Sequence, residues 1–163
     1  MVRIFTLCLT IVFLASGCFL QGAKRDQPDY AAQNEAQQAL NNKTAFQNNY
    51  DSLNRVFGQY KMNIDNIQAK LAGYDKGLSS KAKKDPQYPL IAKQKGGVDE
   101  NYQALMGRHV ELVAWADAHK EAPTTADVQT FSQRVNSLNQ DLAGTMNAFS
   151  KLEIEYFGLK SRN

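Results

Sequence analysis

The chain has 163 residues, enough for one compact domain with a tail and too few for two of full size. Its 19 Lys and Arg against 16 Asp and Glu give a formal charge of +3, which excludes a strongly basic nucleic-acid binder and an acidic disordered tail alike. Two cysteines cannot build a disulfide framework or a multi-cysteine metal site, while 14 Gln and 13 Asn form an amide excess that sits early in the chain.

The first element is an address. Arg3 is followed by an almost wholly apolar run over residues 4–14 and then by the small residues Ala15, Ser16 and Gly17. A run of about a dozen residues is too short to span a bilayer, which needs roughly 20. Its charged and small-residue frame is that of an export signal. The string Leu14-Ala15-Ser16-Gly17-Cys18 resembles the lipobox of bacterial lipoproteins, with Ala15 where that family more often has Leu. The resemblance implies that residues 1–17 are a lipoprotein signal peptide and that Cys18 becomes the lipidated first residue. Plain secretory cleavage is the alternative. Cys8 would then leave with the signal and Cys18 would carry diacylglycerol beside an N-linked acyl chain such as palmitate. No free thiol remains, which removes cysteine nucleophiles, thiol redox chemistry and cysteine–metal sites together. Two or three buried acyl chains anchor stably where one is marginal. By the family's sorting tendency, Phe19 in place of Asp implies the outer membrane of a Gram-negative envelope.

Residues 18–43 are polar and small, rich in Gln, Asn and Ala, with little apolar area to bury. They predict a lipid-anchored tether that becomes helical toward Ala39, alanine favouring helix. From Phe46 the pattern changes. Apolar residues fall at Phe46, Tyr50, Leu53, Phe57, Tyr60, Ile64, Ile67, Leu71, Tyr74 and Leu78, alternating steps of four and three. This is a heptad stripe and predicts a helix over residues 44–83. A second stripe, Val98, Tyr102, Leu105, His109, Leu112 and Ala116, is widened by Met106, Val113 and Trp115 and predicts a helix over 98–121. The third runs Val128, Phe131, Val135, Leu138, Leu142, Thr145, Phe149, Leu152, Tyr156 and Leu159 and predicts a helix over 125–160. Pro86 and Pro89 stop the first helix, residues 88–92 suit one or two extra turns with Pro89 at a first helical position, Gly96-Gly97 precede the second helix, and Asp99 and Glu100 suit its first turn. Thr124 or Thr125 caps the third helix, with Asp127 close behind. Short connections favour antiparallel neighbours. The expected fold is all-α: an elongated up-down-up three-helix bundle over residues 44–163, coiled-coil-like, behind the tether.

The residues of the bundle offer little chemistry. His109 and His119 stand ten residues apart on one helix, roughly 15 Å, too far to share a metal ion. His109 lies on the core stripe and reads as a partly buried histidine, and Thr145 as a register residue. Metallohydrolase, haem-attachment, phosphate-loop and nucleophile-elbow motifs are absent from the sequence. No cofactor, metal or catalytic residue is expected. The one candidate binding feature is basic: Lys76, Lys81, Lys83, Lys84, Lys93 and Lys95 cluster against Asp85, with Lys160 and Arg162 at the same end of the bundle. Such a tip suits an acidic protein face, an anionic polymer such as a glycan, or a lipid headgroup, with nucleic acid the least favoured. It lacks the interleaved aromatic platform that single-stranded nucleic acid requires. The expected function is a non-catalytic, membrane-anchored envelope lipoprotein presenting a helical module to a partner. The alternative is a self-associating coiled-coil spacer, a homo-oligomer in which the stripes pair between chains. A small-ligand carrier or enzyme would need a pocket lined by His109, Thr145 or tyrosine hydroxyls.

Overall fold

The computed structural model describes residues 29–162. They form three α-helices, α1 (Tyr30–Gly77), α2 (Tyr88–His119) and α3 (Thr125–Arg162), with a 3-10 turn at Ala82–Lys84 between the first two. The signal peptide and Cys18 lie outside the described residues, as does the start of the tether. The chain divides into two compact units, Met1–Ala36 and Gln37–Asn163. Of the first, the described part is the opening of α1. The carboxylate of Asp29 accepts hydrogen bonds from the backbone N–H groups of Ala31 and Ala32, both at 3.1 Å, and so caps the helix.

The second unit is the bundle. Contacts between α1 and α2 run in opposite senses along the chain: Phe46 meets Trp115, Phe57 meets His109, and Tyr88 meets Asp75. The pairs Arg108–Asp141 and Trp115–Phe131 show the same reversal between α2 and α3. Gln38–Thr125, Phe46–Phe131 and Lys70–Glu153 rise together, so α1 and α3 are parallel. The topology is up-down-up.

The heptad stripes face inward. Phe57, Leu112 and Leu142 are 6%, 6% and 0% exposed. Along α1 the buried set is Phe46, Leu53, Phe57, Ile64 and Leu71, with Leu78 buried just past its end, while Tyr50, Tyr60, Ile67 and Tyr74 are half-buried. A straight helix drifts by about 20° per heptad against a repeat of 3.5, which carries the intervening stripe positions to the rim. There the tyrosine hydroxyls reach polar partners: Tyr50 donates to Asp117 at 3.5 Å. A layer of rings closes the end opposite the α1–α2 connection. Phe46 stacks on Phe131 with centroids 4.6 Å apart, Trp115 lies within 6.1 Å of Phe46, and Arg134 sits 5.1 Å above the indole.

Helix boundaries depart from expectation at three places. First, α1 begins at Tyr30 rather than near residue 44, because Asp29 supplies a cap and alanine-rich sequence follows. Second, α1 ends at Gly77 rather than 83. The Ser79 hydroxyl accepts from the N–H of Ala82 at 3.1 Å and turns the chain into the 3-10 segment. Asp85 is extended at ψ 132°, as a residue before proline prefers. Third, α2 begins at Tyr88, and Gly96 and Gly97 lie inside it. Pro89 falls in its first turn, where a missing N–H costs nothing, and Ile91 one turn on is buried. Each glycine costs about 1 kcal/mol against alanine, too little to break a helix held by packing at both sides. Asp99 is therefore interior to α2 and takes no part in its first turn. The third helix starts where expected: Thr124 Oγ1 accepts from the N–H of Asp127 at 3.1 Å, and the Asp127 carboxylate accepts from the N–H of Thr124 at 2.9 Å. The Thr124 hydroxyl also donates to that carboxylate at 2.7 Å, and this bond first, then the one from the Thr124 N–H, holds the Asp127 carboxyl below the usual carboxylate range.

Candidate functional site

The turn between α1 and α2 and the last turns of α3 share one end of the bundle. Tyr74 packs edge-on against Phe157 with centroids 6.3 Å apart, and the Tyr88 hydroxyl donates to Asp75 at 2.9 Å. The structure places Lys76 on the last turn of α1, Lys81 just ahead of the 3-10 turn, Lys83 and Lys84 within it, and Lys93 on α2. All five are exposed. Lys76 complements the carbonyl end of α1.

Lys95 leaves this group. Its Nζ is 2.6 Å from Asp99, whose second carboxylate oxygen accepts from the Gln68 amide at 2.8 Å, so it is tied into the α1–α2 seam. Lys160 sits with its nitrogen 5.7 Å above the Tyr74 ring. The side chain of Arg162 lies outside the described residues. The six ion pairs among the described residues engage Lys43, Lys61, Lys70, Lys95, Arg108 and Lys120, and none uses the five tip lysines. The nearby carboxylates are occupied: Asp75 by the Tyr88 hydroxyl, and Asp85 by the backbone N–H of Gln87 at 2.9 Å.

A second property of this end escaped the stripes. Leu90, Ile154 and Phe157 are 62%, 72% and 57% exposed. Ile154 and Phe157 fall off the Leu152–Tyr156–Leu159 stripe, so their outward position is readable from spacing. Leu90 precedes its stripe, and its placement depends on α2 beginning at Tyr88.

The other singled-out residues have structural roles. His109 stacks on Phe57 with centroids 3.6 Å apart, its Nε2 is buried without a hydrogen-bond partner, and burial lowers its pKa. His119 Nδ1 donates to the Trp115 carbonyl at 2.7 Å, and its ring stacks on that indole. The buried Thr145 hydroxyl accepts from the Asn101 amide at 3.0 Å, pinning α2 to α3. Tyr102 donates to Asp65 at 3.2 Å. Among the described residues no group of three His, Cys, Asp or Glu side chains could hold a metal ion. No described helix is long and apolar enough to cross a membrane.

No family model, curated protein or solved structure matches the chain.

Proposed function

We propose that the protein is a non-catalytic envelope lipoprotein, anchored through lipid on Cys18, whose helical bundle is a binding or assembly module for another envelope component. The observation that carries this reading is the pairing of a lipobox-like string ending at Cys18 with a tip whose five exposed lysines take part in no ion pair. The fold pairs Lys95 with Asp99 and leaves these five without a carboxylate partner among the described residues. Left unpaired, they create a positive field that raises the local concentration of anionic partners. The interior supports the same reading. Thr145 and the tyrosine hydroxyls of residues 50, 88 and 102 are engaged by neighbouring helices. Residues from all three heptad stripes form one core cluster within a single chain, which argues against a spacer whose stripes pair between chains.

Metabolic labelling with palmitate, with and without globomycin, tests the anchor. The native chain is expected to incorporate label and to accumulate as an unprocessed precursor under globomycin, while Cys18→Ser takes up none. Normal processing under globomycin would overturn the assignment.

A further inference from the structure

The exposed apolar residues and the unpaired lysines of the tip lie together. Leu90 and Ile154 line an open groove of about 460 Å³ between the start of α2 and the end of α3, with Ile91 and Gly158 also in its wall. A second hollow of about 270 Å³ continues along the same two helices beside Val98 and Ala148, and Gln94 and Glu155 border both. From Leu90 to Val98 the trough runs roughly 12 Å along α2, about two turns of an α-helix. Gly97 and Ala148 in its wall are small enough for another backbone to approach closely. Lys93 on α2 and Lys151 on α3 are exposed and, like the tip lysines, take part in none of the ion pairs.

We propose that this groove is the docking site for an acidic amphipathic helix of a partner protein. The inference rests on the reading of the bundle as a binding module and names the kind of partner it takes. Apolar residues at i, i+4 and i+7 of the incoming helix would cover Leu90 and Ile154, and flanking Asp or Glu side chains would meet Lys83, Lys84 and Lys93. Charge selects this occupant: Lys151 lines the second hollow and Lys93 adjoins Gln94 in sequence, against the single carboxylate of Glu155. A second copy of the chain laid across the same face by two-fold symmetry would bring two lysine tips together. A lipid surface would have to cover Gln94 and the carboxylate Glu155 in the groove wall without offering them partners. An anionic polymer would neutralise the lysines and leave Leu90 and Ile154 in water.

The test uses the native protein in mild detergent and two fluorescein-labelled peptides of three heptads. Both carry Leu at a, d and e; one has Glu and Gln elsewhere, the other Lys and Gln. Fluorescence anisotropy is expected to show binding of the Glu peptide, weakening with added salt. Affinity should fall about tenfold or more in Leu90→Gln/Ile154→Gln and again in Lys83→Gln/Lys84→Gln/Lys93→Gln. All substituted side chains are exposed, and circular dichroism checks that the variants stay folded. No binding of the Glu peptide, unchanged affinity in both variants, or equal binding of the Lys peptide overturns the proposal. Two further outcomes overturn it by naming another occupant. One is a sedimenting dimer lost in Ile154→Gln, which assigns the face to a second copy. The other is binding of short-chain phosphatidylglycerol without binding of the peptide, which assigns it to lipid. Palmitate at Cys18 is measured on the same preparation, so failure of the groove and failure of the anchor are read separately.

Discussion

His109 shows how burial gives one side chain a pH dependence. Packed face to face with Phe57, with Nε2 buried and unpartnered, its imidazole is held neutral, and its pKa lies below the ordinary 6.5. Below that pH the unfolded chain binds a proton that the folded chain resists, so stability is complete above pH 6.5 and declines as the pH falls through it. Urea unfolding at several pH values should show this decline, and His109→Phe should reduce it. A variant that keeps the full acid-side slope would show that other groups cause it. Leu142 makes a simpler case. It is fully buried, and Leu142→Ala should cost about 3 kcal/mol in the same measurement, from lost transfer energy and the cavity left behind. Thr145 differs from both, because its hydroxyl accepts from Asn101 and ties α2 to α3 beside an open surface hollow that both residues line.

At the scale of elements, α2 carries a local cost that packing overrides. Gly96 and Gly97 sit in mid-helix, neither has positive φ, and a Cβ built on either would meet nothing within 4 Å. The fold does not require glycine at either position. Gly96→Ala and Gly97→Ala should each stabilise the protein by up to about 1 kcal/mol in thermal or urea unfolding, through helix propensity and a less flexible unfolded chain. These glycines are also why the stripe put the main start of α2 at Val98 and left the turns from Tyr88 as a separate piece. Gly-Gly is a local breaker signal, and the burial of Ile91 that joins the two becomes visible only when α3 lies beside it. The start of α3, by contrast, was legible because a Thr-x-x-Asp cap acts within a single turn. The start of α1 had the same kind of signal in Asp29, hidden by the low apolar content that followed.

For the molecule as a whole, the core of the second unit is one continuous cluster contributed by all three helices. Two buried tyrosines couple that core to alkaline pH. Tyr102 is pushed up to about 12, first by burial and then by the charge of Asp65 and its hydrogen bond. Tyr156 is also pushed up to about 12, by burial first and then by Asp75. Unfolded phenols ionise near 10.0, so between about pH 10 and 12 the unfolded chain releases protons that the folded chain retains. Stability should therefore fall across this window, and Tyr102→Phe should flatten part of the fall. Equal slopes in the variant would count against this origin.

Spacing alone determined that the chain forms three helices and which face of each turns inward, because the period of an α-helix is a property of the backbone and burial follows it. The lipobox-like string, the lysine cluster and the Thr124 cap are equally local and could be read in order along the chain. Tertiary structure decided the rest. It withdrew Lys95 from the tip by setting Asp99 and Gln68 around it. It carried α2 through two glycines by burying Ile91, and it placed Leu90 and Ile154 on one groove. Those outcomes depend on residues distant in the chain meeting across a packed interface, and no local preference encodes where they meet.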